Sequence, residues 1–233
     1  MLMNHVNVVN PFEKTYVSSN KDNKIIHNLY EASLYMGEVC DDTELEYHVD
    51  SHLKQDKNFK NWRNNVPSKT PAGLLKYKND YVSHSESHNN ILILNEAQKD
   101  IVDYGIFLPL GQQLVHGGVW KSNTDSLVLD SPLSTSFNPQ VALRLAERNK
   151  YCFCYKKIDL LVLNVISPDV IAFPFSITRG KHKNEDEVVI QAGAKLIIRK
   201  KCTVNSKKNK ICGEINKNNW NVNVLYVDVD SPT

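Results

Sequence analysis

Two patterns of apolar and polar positions divide the chain near residue 90. Before it the sequence is mostly polar, and its apolar residues recur at helical spacing in short stretches. Asn28 to Cys40 carries Leu29, Ala32, Leu34, Tyr35 and Val39 in such a rhythm. Phe59, Trp62 and Val66 predict a second short helix closed by Pro67, and Leu74 to Tyr81 a third after the Thr70-Pro71-Ala72-Gly73 break. Ser83 to Asn90 reads as a polar connector. Ile91 to Tyr104 is then amphipathic, with Ile91, Leu94, Ala97, Ile101 and Tyr104 on one face and Gly105 as its stop. Beyond it the pattern turns to short β-type runs: Gln113 to Trp120, Ser134 to Phe137, Asp159 to Ile166, Val170 to Phe175, Glu187 to Ile190, Lys195 to Arg199 and Trp220 to Val229. One helix interrupts them, Pro139 to Arg148, with Asn138 as its cap. Helices followed by many strands predict an α+β chain with a mostly antiparallel sheet core. The expected division is an N-terminal helical region, residues 1–90, packed on a core of residues 91–233.

Composition adds bounds to this picture. At 233 residues, 41% hydrophobic and 23% charged, the chain is an ordinary globular sequence with room for a sizeable core. A net charge of +2 neither requires nor excludes a nucleic-acid partner. There is no apolar run of the ~20 residues a membrane span needs and no secretory signal pattern at the N-terminus, so a cytoplasmic location without membrane contact is expected. The cysteines, Cys40, Cys152, Cys154, Cys202 and Cys212, contain no Cys-x-x-Cys pair, and no zinc site is expected. Cys152 and Cys154 are expected as buried thiols on one strand face. His84 and His88 stand four apart but lack a third ligand, and read as solvated loop residues rather than a metal site.

The chemistry concentrates in three short motifs. Glu185-Asp186-Glu187 lies directly before the apolar run Val188-Val189-Ile190. In an extended segment, residues two apart point to one side, so both glutamates are expected to face one site. Like charges that close push one pKa up and leave the other group ionised, which suits one acid to steady a developing cation and the other to take a proton. Upstream stand His116-Gly117-Gly118, at the end of a predicted strand, and Ser134-Thr135-Ser136-Phe137, a run of hydroxyl residues entering the capped helix. Each is weak alone; their order along one chain is more specific.

Taken together, these motifs resemble the signature Arg…Ser-Thr-Ser…Glu-x-Glu of the toxin-type ADP-ribosyltransferases, over about Ile91 to Val229. The resemblance implies a core of two packed, mostly antiparallel sheets flanked by N-terminal helices, NAD⁺ as substrate, and no metal. It implies that Glu187 stabilises the oxocarbenium-like transition state and that Glu185 orients or deprotonates the acceptor. Ser134 and Ser136 would hold Glu187 and the ribose, Thr135 would support the strand, and Gly117 would let its backbone approach the nicotinamide carboxamide. Phe137 would stack on the nicotinamide ring or serve the core. His116 departs from the pattern, because imidazole cannot grip a phosphate as guanidinium does. His-Gly at this point is similar to the diphtheria-toxin and poly-ADP-ribose polymerase branch, where His binds a ribose. In the family, the segment matching Phe173 to Asn184 helps choose the acceptor; here it carries Phe175, Arg179 and Lys181, with His182 and Lys183.

The activity implied by the resemblance is mono-ADP-ribosyl transfer to a macromolecule inside a cell: a protein arginine, or an RNA or DNA base amine. A bacterial or phage toxin would fit, similar to the CmdT-type phage-defence toxins, with an antitoxin or inhibitor protein as partner. The alternatives are an NAD⁺ glycohydrolase and a non-catalytic module of the same fold that binds RNA or protein.

Overall fold

The apolar runs of the second half pair into a single hydrogen-bonded sheet, and the polar first half lays helices around it. The computed structural model describes residues 6–19, 23–81, 91–147, 150–175, 186–204 and 221–232. A two-stranded ribbon, β1 (Tyr16–Val17) and β2 (Ile25–Ile26), leads into helices α1 (Leu29–Val39), α2 (Thr43–Gln55), α3 (Lys57–Asn64) and α4 (Ala72–Lys76). A π-helical turn, Tyr77–Tyr81, extends α4, and α5 (Ile91–Tyr104) comes after it. Next are β3 (Ile106–Phe107), β4 (Gln113–Gly118), β5 (Ser126–Val128) and β6 (Leu133–Ser136), then helices α6 (Pro139–Glu147) and α7 (Lys150–Tyr155). Strands β7 (Lys157–Val165), β8 (Ile171–Pro174), β9 (Glu187–Ile190), β10 (Ala194–Val204) and β11 (Asn221–Pro232) complete the chain.

Among the described residues the large sheet has nine strands in the order β3-β8-β9-β6-β4-β7-β11-β10-β5. Among these strands β7 and β11 run parallel and the other described pairs are antiparallel. The fold is therefore α+β with a mixed sheet. The two-sheet arrangement takes the form of two halves, β3-β8-β9-β6 and β4-β7-β11-β10-β5, joined by the single pair Val115↔Ser136. That joint sits between the histidine motif on β4 and the hydroxyl motif on β6.

Side-chain oxygens start the early helices. Asn28 accepts from the Glu31 N–H to cap α1, Asp42 from Glu44 and Leu45 to cap α2, and Asp56 from Phe59 to cap α3. Helix α2 is an addition to the elements expected: its apolar contribution is Leu45, Val49 and Leu53 alone, spaced by four in polar company. Helix α1 lies on β11 and β10, with Gly37 close against Val222 and Val204. One hydrophobic core runs from Val6 to Val229 and includes side chains of both halves. Trp62, Phe137 and Phe173 are its largest fully buried residues, each worth about 1.5–3 kcal/mol in area removed from water.

Several local expectations change. Helix α5 turns Ile93, Ala97 and Ile101 inward and leaves Ile91 in solvent. Cys152 and Cys154 lie on α7 rather than on a strand, so two residues apart they point to different sides. Cys152 is buried, its thiol pushed up to about 12 mainly by that burial, while Cys154 is exposed.

Candidate active site

The hydroxyl strand β6 organises the site. Its register against β9 sets Ser136 opposite Glu187 and Ser134 opposite Val189. Alternation along the strand then sends Ser134 and Ser136 to one side and Thr135 to the other. Thr135 is buried and donates its hydroxyl to the Val188 carbonyl at 2.5 Å, tying the two strands together. Ser134 does two things at once. Its hydroxyl donates to Glu187 Oε1 at 2.6 Å, and its carbonyl accepts from His116 Nδ1 at 2.7 Å. The histidine, hydroxyl and acidic motifs therefore meet at one serine. Ser136 Oγ accepts from the Asn138 N–H at 3.0 Å, and Asn138 Oδ1 from the Gln140 N–H at 3.0 Å, which fixes the entry into α6.

The contact with Ser134 sets the state of His116. A carbonyl oxygen only accepts, so the proton sits on Nδ1 and Nε2 keeps its lone pair. Loss of solvation pushes the His116 pKa down, with the Ser134 carbonyl opposing and Lys121 assisting. The ring is neutral at pH 7 and offers an acceptor. It leans over Gly118, where an added Cβ would lie 2.7 Å from Nε2.

Glu187 is buried, at 5% exposure, and paired with a residue that sequence reasoning missed. Lys78, on the π-helical turn, places Nζ 2.7 Å from Glu187 Oε2. The same ammonium lies 4.9 Å from the centre of the Phe175 ring. Phe175 is buried too, edge-on to Phe173, and its N–H donates to the Glu187 carbonyl at 2.8 Å. Phe175 is thus a wall beside Glu187 rather than an exposed acceptor-loop side chain. Nothing in a polar helix marks one lysine as buried; the only signal was the predicted helix over 74–81 that carries it.

Two other motif residues pack against helices. Phe137 is fully buried, 5.4 Å from Phe59 and 5.7 Å from Trp62 between ring centres, so of its two expected places it takes the one in the core. At Gly117, a Cβ would meet the Ala142 carbonyl oxygen at 2.0 Å. The missing side chain there makes room for helix α6. Glu185, Arg179 and Lys181 lie outside the described residues, as do His84, His88, His182 and Lys183. Asp186, between the two glutamates, has φ 38°, in the left-handed region. The extended backbone of β9 therefore does not continue through Asp186.

Asp186 also meets a carboxyl of α2. Asp50 is buried, its Oδ1 has no hydrogen-bond partner among the described residues, and the two side chains share a hydrogen bond. Two carboxyl groups bond only through a proton. Burial raises the Asp50 pKa to about 7, with Asp186 and Glu46 adding to the shift and Lys54 opposing it. Burial raises Asp186 as well, against Lys54 and Arg63. A carboxyl whose folded pKa lies above the unfolded value of ~3.9 holds its proton more tightly when folded. Its stabilisation is complete below that unfolded value and is lost as pH rises through about 7. The melting temperature is expected to fall between pH 5 and pH 8, and Asp50→Asn to flatten that slope; an unchanged slope in the variant would refute the shared proton.

A cavity of about 490 Å³ opens beyond the end of β4, lined among others by Trp120, Lys121, Tyr155, Lys157 and Lys201. The fully buried Asp159 anchors its wall, accepting from the Trp120 N–H at 2.8 Å and from Asn223 Nδ2 at 2.7 Å and pairing with Lys157 at 2.7 Å. Among the described residues no group of three or more metal-ligating side chains occurs, and no helix is long and apolar enough to cross a membrane.

No protein-family model matches the chain, and no curated protein matches it in sequence. Solved structures do match in fold. Several of these proteins are ADP-ribosyltransferases. The chain is similar to Vis of Vibrio splendidus in complex with agmatine, at 12% identity and a TM-score of 0.45, covering 81% of this chain and 86% of that one. It is similar to the ADP-ribosylating toxin BECa of C. perfringens with NADH, at 13% identity and a TM-score of 0.48, covering 92% of this chain and 54% of that one. The enzymatic component C2-I of the Clostridium botulinum C2 toxin matches at 10% identity and a TM-score of 0.46, over 76% of this chain and 46% of that one.

Proposed function

We propose that the chain is a mono-ADP-ribosyltransferase that moves ADP-ribose from NAD⁺ to a macromolecular acceptor. The observation that carries this reading is the double engagement of Ser134, which holds His116 through its carbonyl and Glu187 through its hydroxyl. A neutral acceptor nitrogen and a fixed carboxylate then stand on either side of one serine. Glu187 would stabilise positive charge developing at the anomeric carbon as the bond to nicotinamide breaks and its electron pair leaves with the nicotinamide. His116 Nε2 would accept from a ribose hydroxyl. The cavity beyond β4 offers aromatic faces and lysines suited to a base and its phosphates. The acceptor's nucleophile would bond to the anomeric carbon and give its proton to Glu185, with Arg179 and Lys181 contacting the acceptor.

The test uses NAD⁺ labelled in the adenylate part, incubated with the chain and a cell lysate, then separate digestion with protease, RNase or DNase. Label released by protease marks a protein acceptor, and by RNase or DNase a nucleic acid. Free ADP-ribose alone marks a glycohydrolase, and intact NAD⁺ a non-catalytic module; either would overturn transfer. Glu185→Ala is expected to lower transfer by about 10²-fold or more, as loss of a general base does, while NAD⁺ hydrolysis falls far less. Equal losses in both would contradict its assignment to the acceptor.

A further inference from the structure

A carboxylate beside an aromatic face is a cation site, and at Glu187 the chain itself supplies the cation. Lys78 Nζ lies 2.7 Å from Glu187 Oε2 and 4.9 Å from the Phe175 ring centre, and both charged side chains are about nine-tenths buried, at 10% and 6% exposure. An ammonium there cannot act as a base, and it does not stabilise positive charge. It neutralises the negative charge on which the proposed chemistry depends, in surroundings where charges are poorly screened. A second cation entering beside Glu187 would meet its repulsion. The lysine rides on Tyr77–Tyr81, a π-helical turn, a rare form that is frequent at functional sites. The turn is held against the entrance to β6, where the Tyr77 hydroxyl donates to the Pro132 carbonyl at 3.2 Å.

We propose that Lys78 is a built-in cationic plug: it holds the place beside Glu187 that the nicotinamide-ribose cation must take, and turnover requires its withdrawal. The inference rests on the transferase reading of the site. A plug that is closed most of the time raises the apparent KM for NAD⁺ by the reciprocal of the open fraction. Removing the ammonium therefore acts on KM first.

The experiment measures nicotinamide release from labelled NAD⁺ by the full chain and by Lys78→Met, Lys78→Gln and Lys78→Arg, with a melting curve for each. Lys78→Met and Lys78→Gln are expected to raise kcat/KM roughly tenfold, mainly through a lower KM, and Lys78→Arg to stay near the wild type. If Lys78→Met does not fold, Lys78→Gln, which can still donate to Glu187, decides. A kcat/KM that is unchanged or reduced in the neutral variants, with the wild type active, overturns the plug and leaves the transferase reading standing. A silent wild type with active neutral variants supports both. Folded proteins that are all silent overturn both.

Discussion

Glu187→Gln is expected to lower NAD⁺ turnover by a factor of about 10²–10³ while the chain still folds. The substitution keeps the side chain's shape: its amide oxygen can face Lys78 and its N–H₂ can donate to the Ser134 hydroxyl oxygen, which now lies 2.6 Å from Glu187. What it removes is the charge, and charge is what the proposed role needs. The resting protein also feels the loss, because Lys78 then sits buried against a neutral partner. A cost of about 1–3 kcal/mol is expected, below that of a fully abandoned buried charge because the amide oxygen still accepts from the ammonium. Denaturant unfolding would show this cost, and the double variant Glu187→Gln/Lys78→Met should regain part of it, since neither charge remains to be buried. Turnover within a few fold of the wild type in a folded Glu187→Gln protein would falsify the catalytic assignment.

The parts of the fold that sequence reveals are those where burial is continuous. β7 and β11 bury both faces, and their apolar runs announce them; α5 ends at Gly105 and α6 begins at its Asn138 cap. Helix α2 shows the opposite case. Its buried apolar residues are Leu45, Val49 and Leu53 alone, too sparse in a polar background to announce it. Alternating cysteines imitated a strand at α7. At the site, Ser134 and Glu187 could be paired because both lie in recognisable motifs. Lys78 could not, because a residue 109 positions away reaches Glu187 only through the packing of the polar half on the sheet. Phe137 and Gly117 were legible as important, but not the helices they pack against. Both face α3 or α6 through the core, and no local pattern says on which side of a strand a helix will lie.

The adjacent glycines of β4 separate the requirements of fold and site. Gly117 faces α6, where a Cβ would sit 2.0 Å from the Ala142 carbonyl oxygen and 2.7 Å from its carbonyl carbon. Those are backbone atoms inside a helix and have no rotamer with which to escape, so Gly117→Ala must lift α6 away from the sheet. A loss of about 3 kcal/mol or more is expected, visible as a large drop in melting temperature. Gly118 faces the other way, and its added Cβ would meet the Nε2 edge of His116 at 2.7 Å. An imidazole can turn aside, so Gly118→Ala should cost far less stability. Turning would break the 2.7 Å contact with the Ser134 carbonyl and withdraw the acceptor nitrogen. Gly118→Ala is therefore expected to keep a near-native melting curve and to raise the KM for NAD⁺ about tenfold or more, the effect of about one lost hydrogen bond. If Gly118→Ala binds NAD⁺ as the wild type does, His116 has no part in holding the ribose. If Gly117→Ala melts as the wild type does, helix α6 does not rest on β4 as described.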